Sequence, residues 1–241
     1  VSIIQDQEEF QLIGVVEAPT HPEIGRELSK GLRVTSHLEE VLQEGAVIIE
    51  FTNPQATLEH LRIARDNNIP SVIGTTGLNH YQLEQIKQIS QSIPILLSPN
   101  MGMGINLLFV LVEKVARVLK DFDREIVEAH HNLKQDAPSG TALKIAQILA
   151  KVEGKELSEL AAYGRKGITG KRKKGEIGIH SIRGGTVVGD HTVIFAGDGE
   201  RLEITHRAES RRIFARGALV AAKFIIRKES GLYDLQDALG I

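Results

Sequence analysis

Four short runs in the first hundred residues are apolar and rich in β-branched side chains: 12–16 (Leu-Ile-Gly-Val-Val), 46–49 (Ala-Val-Ile-Ile), 71–74 (Ser-Val-Ile-Gly) and 93–97 (Ile-Pro-Ile-Leu-Leu). Continuous apolar runs of this length fit strands buried on both faces. The stretches between them carry helical spacing, with Leu38, Val41 and Leu42 in one, Leu58, Leu61 and Ala64 in the next, then Leu83, Ile86 and Ile89. Strand and helix in alternation predict an α/β fold: a doubly wound parallel sheet with helices on both faces.

The pattern changes after Asn100. A glycine-rich turn at 101–104 leads into a predicted helix over 105–119 and a strand over 124–130. Further strands are expected at 176–182, 186–196 and 201–206, separated by glycine-rich turns. Strands in such close succession predict a mainly antiparallel sheet, and hence a second, α+β domain beginning near Gly102. A last helix is expected over 213–226, free to pack on either domain.

Composition narrows the function. With 241 residues, 41% of them hydrophobic, the chain has material for one large domain or two modest ones. Cysteine is absent, which excludes disulfides, thiolate catalysis and sulfur-ligated metal sites. Lys and Arg number 29 against 31 Asp and Glu, so no global charge draws the chain to nucleic acid or an anionic membrane. No apolar run approaches the ~18 residues of a membrane span, and no basic region followed by an apolar stretch opens the chain. A cytoplasmic protein is expected.

A dinucleotide-binding sheet would normally announce itself with a G-x-G-x-x-G turn after its first strand, and this sequence has none. The acidic residue that holds the adenine ribose lies about 20 residues beyond those glycines, at the end of the second strand. Glu17 follows the run 12–16, so counting back puts the glycines ahead of Val1. The segment Val1-Ser2-Ile3-Ile4 itself reads like helix interior, so an upstream segment carrying the first strand is expected. The alternative is that Glu17 is an ordinary solvated carboxylate.

Gly74, Thr75 and Thr76 follow one expected strand, and Ser98, Pro99, Asn100 and Met101 follow the next, where a doubly wound sheet presents its ligand loops. Small residues there would let a cofactor approach the backbone, although Gly and Thr also serve plain turns.

The segment 128–142 (Glu-Ala-His-His-Asn-Leu-Lys-Gln-Asp-Ala-Pro-Ser-Gly-Thr-Ala) carries the strongest local signal. Ser139 is a natural N-cap, followed by Ala142, Ile145, Ala146 and Leu149 at helical spacing. The amides of Gly140 and Thr141 would then point outward at the positive end of the helix, a carboxylate-binding arrangement that His131 and Lys134 would reinforce. The bland alternative ends a strand with one histidine ring in the core and one in water, and leaves Lys134 on the surface. A metal site would need more ligands than neighbouring strand residues, which face opposite ways, can supply. The basic run Lys171 to Lys174 reads as a solvated loop, without a helix-turn-helix or aromatic platform beside it.

The segment 128–142 closely resembles the signature of the 4-hydroxy-tetrahydrodipicolinate reductase (dihydrodipicolinate reductase) family of the diaminopimelate and lysine pathway. Five other segments resemble that family in the same order: 51–54, 72–77, 188–192, 201–206 and 228–233. The resemblance implies a Rossmann cofactor domain over 1–101, a substrate-binding and tetramerisation domain over 102–210, and a C-terminal segment, 211–241, returning to the cofactor domain. It implies a homotetramer that uses NADH or NADPH to reduce a small dicarboxylate. By motif, His130 resembles the proton donor, Lys134 its basic partner, His131 a substrate ligand, and Gly140 with Thr141 the carboxylate cradle. Arg211 matches a position near the substrate's second carboxylate. Many relatives follow the ribose acid with arginine, whereas Ala18 follows Glu17 here, so NADH is expected to be preferred over NADPH. A metal-dependent hydrolase built on His130 and His131, or a dinucleotide-sensing regulator, are the competing readings.

Overall fold

A computed structural model of the chain describes residues 1–29 and 31–241, which divide into two compact units: Val1–Met101 with Phe214–Gly240, and Gly102–Ile213 with Ile241. The first unit contains α1 (Ser2–Gln5), β1 (Val15–Val16), β2 (Glu27–Ser29), β3 (Leu32–Thr35), a 3₁₀ turn (Leu38–Val41), β4 (Ile48–Glu50), α2 (Pro54–Asp66), β5 (Ser71–Ile73), α3 (His80–Ile89) and β6 (Pro94–Leu97). The second runs through α4 (Met103–Val118), β7 (Asp123–His130), α5 (Gly140–Glu153), α6 (Leu157–Leu160), β8 (Ala161–Tyr163), β9 (Ile177–Arg183), β10 (Gly189–Ala196) and β11 (Arg201–Ala208). The chain then continues through α7 (Arg212–Ile225), β12 (Gly231–Tyr233) and α8 (Leu235–Leu239).

In the first unit a four-stranded sheet in the order β12-β6-β5-β4 is parallel throughout. Successive strand side chains point to opposite faces, so Ile73 and Ile95 join Leu58, Leu61 and Ala64 of α2 and Ile86 and Ile89 of α3. Val72 and Leu96 face the other way, against Ala218, Ala221, Ala222 and Ile225 of α7. Burying each such Val, Leu or Ile is worth about 1.5–3 kcal/mol, which is why both faces of these strands are apolar and the runs in sequence are unbroken. Asn53 caps the amides of Gln55 and Ala56 with Pro54 at the first helical position, and Asn79 with Gln82 forms a capping box, so α2 and α3 begin where their sequences dictate. A Cβ at Gly217 would lie 1.7 Å from the carbonyl oxygen of Met101, so α7 can pack this closely only on glycine.

Two expectations for this unit need correction. The run 12–16 yields only the two-residue strand β1, which belongs to a separate three-stranded sheet, β1-β3-β2, containing one parallel and one antiparallel pairing. The stretch around Leu38, Val41 and Leu42 makes a single 3₁₀ turn rather than a helix, because no side chain caps it and the chain is extended again at Leu42.

The second unit holds a five-stranded sheet in the order β11-β10-β7-β9-β8. It is mixed, not mainly antiparallel: β10 pairs antiparallel with β7 and β11, while β9 pairs parallel with β7 and β8. The helices α5 and α6 carry the chain back between β7 and β8, and a crossover of that kind delivers parallel strands. Buried side chains of β7, β9 and β10 (Ile126, Ile177, Ile179, Val193, Phe195) pack with α4 and α5. Among the described residues no helix is long and apolar enough to cross a membrane.

Candidate active site

β7 lies at the centre of the second sheet and ends at His130. Two residues apart on a strand, Glu128 and His130 share a face, and His130 Nδ1 lies 2.6 Å from Glu128 Oε2. Glu128 is fully buried. Burial alone would push its carboxyl up, but hydrogen bonds from Arg183, His130, Ser181 and the Ser139 amide outweigh that and hold it at about 2. Arg183, brought alongside by β9, grips both oxygens at 2.8 Å, and Ser139 N donates to Oε1 at 3.1 Å.

Ser139 caps α5 as expected, its hydroxyl accepting from Ala142 N at 3.2 Å. Gly140 and Thr141 are the first residues of α5, at the positive end of its dipole, and open space surrounds the position a Cβ of Gly140 would take. Ser139 Oγ also lies 3.0 Å from Nε2 of buried His191 on β10. The His191 ring packs edge-on against His130 with centroids 5.2 Å apart. Burial, with the neighbouring His130 charge second, lowers the His191 pKa to about 4, so it is neutral near pH 7.

The remaining predicted residues fall differently. His131 is half-buried, and its Nδ1 is buried without a hydrogen-bond partner among the described residues. Lys134 pairs with Asp136 at 2.7 Å, and this hydrogen bond holds the Asp136 carboxyl below its usual range. The Asp136 carbonyl accepts from Arg183 Nη2 at 2.7 Å, which ties the loop carrying Lys134 to the Glu128 network. Arg211 is exposed just ahead of α7, and no hydrogen bond joins its side chain to that network among the described residues. The basic run is not a free patch: Arg172 turns inward to Glu125, Asp123 and the carbonyls of Arg124 and Glu176.

In the first unit, Glu17 is exposed immediately after β1. It stands on the rim of a groove of about 1520 Å³ whose walls include Leu12, Val15, Val47, Ile49 and Phe51. Thr75 is buried, accepting from Thr52 N at 3.2 Å and from Thr57 Oγ1 at 2.8 Å, so it ties two loops together. The space beside Gly74 is filled by the Phe51 ring. Thr76 and Pro99 are exposed, Asn100 is half-buried, Ser98 is turned inward to the Asn100 carbonyl at 2.8 Å, and Met101 is buried.

Sequence reading assigned no role to Glu128, Arg183, His191 or Gly189. Glu128 left a local signal, an acid two residues before a histidine on a strand, and Gly189 and His191 lie in the segment 188–192 that resembles the family; Arg183 arrives from β9 with no such signal. Among the described residues no three His, Asp or Glu side chains converge as a metal-binding group.

The family profile described as dihydrodipicolinate reductase, N-terminus, matches residues 1–101, and the profile for its C-terminus matches residues 104–239. The chain is 46% identical over 248 aligned residues to the 4-hydroxy-tetrahydrodipicolinate reductase of Syntrophus aciditrophicus, covering 100% of this chain and 92% of that one. It is 48% identical over 247 to that of Syntrophobacter fumaroxidans, covering 99% and 92%. In fold it is similar to a dipicolinate-bound dihydrodipicolinate reductase from Paenisporosarcina sp. TG-14, with TM-score 0.78, 24% identity, and coverage of 97% and 91%.

Proposed function

The chain belongs to the dihydrodipicolinate reductase family, and from that premise we propose how its residues divide the work. It is an oxidoreductase that reduces 4-hydroxy-tetrahydrodipicolinate, by way of dihydrodipicolinate, to tetrahydrodipicolinate in the diaminopimelate route to lysine. The observation that carries the assignment of roles is the convergence of His130, Glu128 and the start of α5 through Ser139.

A nicotinamide supplies the hydride when bound, chemistry no side chain can provide. His130 gives a proton to the neighbouring atom of the reduced ring, where electron density would otherwise build up. Lys134, half-exposed and held by exposed Asp136, can exchange that partner for a substrate carboxylate and stabilise charge developing there. Gly140 and Thr141 cradle one carboxylate at the helix start, His131 adds a hydrogen bond from its ring, and Arg211 holds the second carboxylate.

The first unit suits a dinucleotide. An apolar groove suits an adenosine whose ribose hydroxyls need an acceptor, and Glu17, exposed directly after β1, stands where a dinucleotide sheet places that acceptor, so Glu17 holds the ribose and the loops at 74–76 and 98–101 lie along the cofactor. With Ala18 rather than an arginine following it, Glu17 favours NADH over NADPH. The open sheet of the second unit, with Tyr163, Ile182 and Leu202 exposed on β8, β9 and β11, supports a homotetramer.

A coupled assay with freshly generated substrate, following loss of nicotinamide absorbance, tests the reading. Oxidation of NADH should require the cyclic dicarboxylate. Equal rates with simple 2-oxo acids would overturn it.

A further inference from the structure

Glu128 does more than neutralise Arg183. Beside the bidentate Arg183 and a hydrogen bond from Ser181, the same carboxylate accepts from His130 Nδ1 at 2.6 Å and from Ser139 N at 3.1 Å. One fully buried carboxylate therefore joins the proton donor at the end of β7 to the residue that caps α5. An ionised carboxylate only accepts, so the hydrogen of this bond belongs to His130 Nδ1; the proton given to the substrate is the second one, carried on Nε2 of the imidazolium, and its loss leaves the neutral ring with its hydrogen on Nδ1.

A second element guards Nε2. A Cβ at Gly189, the first residue of β10, would stand 3.0 Å from His130 Nε2 and 3.4 Å from Cδ2. Any side chain there would crowd the reactive edge of the ring. The other side of His130 meets the edge-on ring of His191, itself bonded to Ser139 Oγ, so the imidazole has little freedom to turn.

We propose that Glu128 is a positioning residue for the reduction: it fixes His130 with Nδ1 protonated and, through Ser139, sets Nε2 in register with the carboxylate cradle, while Gly189 keeps the approach to Nε2 clear. The inference rests on His130 being the proton donor. A residue needed only to balance Arg183 would be replaceable without effect on which ring nitrogen carries the proton.

The test combines ¹⁵N-histidine spectra with steady-state kinetics. In the wild-type enzyme the neutral His130 ring, assigned by its loss in His130→Gln, should carry its hydrogen on Nδ1; a hydrogen on Nε2 overturns the proposal without need of any Glu128 variant. Glu128→Gln removes the anion that supports the imidazolium and offers the ring an amide donor, so in the neutral ring the hydrogen should move to Nε2, and turnover should fall about 10²-fold with KM changed less than about 3-fold. Glu128→Asp should recover part of the loss, and Gly189→Ala should lower turnover although the carboxylate is intact. Full turnover in Glu128→Gln, with His130→Gln inactive, overturns the role of Glu128 alone. Full turnover in His130→Gln overturns the donor reading on which it stands.

Discussion

The Phe51 ring stands where a side chain on residue 74 would be: a Cβ built on Gly74 would come 2.2 Å from Phe51 Cε1. Phe51 is 49% exposed and can swing aside, so Gly74→Ala should cost about 1 kcal/mol of stability. Gly217→Ala meets the Met101 carbonyl, which is backbone and cannot yield. Its gain in helix propensity, about 1 kcal/mol, is smaller than the overpacking cost of about 3 kcal/mol, so it should be the more destabilising change. Urea unfolding of both variants checks the order; Gly74→Ala proving the worse would show that Phe51 is locked.

His130→Gln should lower turnover by about 10²-fold or more while KM moves little, as expected of a group that acts in the transition state. A raised KM with turnover intact would reassign His130 to substrate binding.

Cofactor preference should follow Glu17. Its carboxylate can accept from both ribose hydroxyls of NADH but would face the 2′-phosphate of NADPH with like charge. Glu17→Ser with Ala18→Arg removes that repulsion and adds a phosphate partner, so the ratio of kcat/KM values should shift toward NADPH, less so as salt rises. A wild type that strongly prefers NADPH at every ionic strength would disprove this.

Acid should weaken the second unit in two stages. His191 has a folded pKa lowered to about 4, so its contribution is complete above its unfolded value near 6.5 and is lost as pH falls toward 4. Glu128 is held at about 2 against 4.5, so its contribution is lost between those values. For a carboxylate this buried, the second stage amounts to about 3 kcal/mol. Denaturant midpoints recorded from pH 7 to pH 3 should bend twice, and His191→Phe should shrink the upper bend, leaving the part that His206, whose pKa burial also lowers, contributes. A flat profile from pH 7 to 5 in the wild type would contradict it.

The legible parts of the molecule were those in which neighbours in sequence are neighbours in space. β4, β5 and β6 declare themselves because both faces are buried, and α5 because Ser139 and the spacing of Ala142, Ile145, Ala146 and Leu149 agree. The three-residue strands β2, β8 and β12 carry no period to read; they exist because an edge was available to pair with. The same limit applies to the site. His130, Lys134 and Ser139 stand within one segment, whereas Arg183 reaches Glu128 from 55 residues away and His191 reaches Ser139 from 52. Strand order, not local pattern, brings those partners in.

β7 is hydrogen-bonded to β10 on one side and β9 on the other along nearly its whole length. Its amides should therefore be among the slowest in the chain to exchange with deuterium, opening only when the whole unit unfolds. The donor at the end of that strand cannot adapt to what binds, so accommodation must fall to the loop 131–138, which has few backbone partners and carries exposed Leu133. Saturating the enzyme with a dicarboxylate analogue should slow exchange in that loop and leave the exchange of β7 where it was.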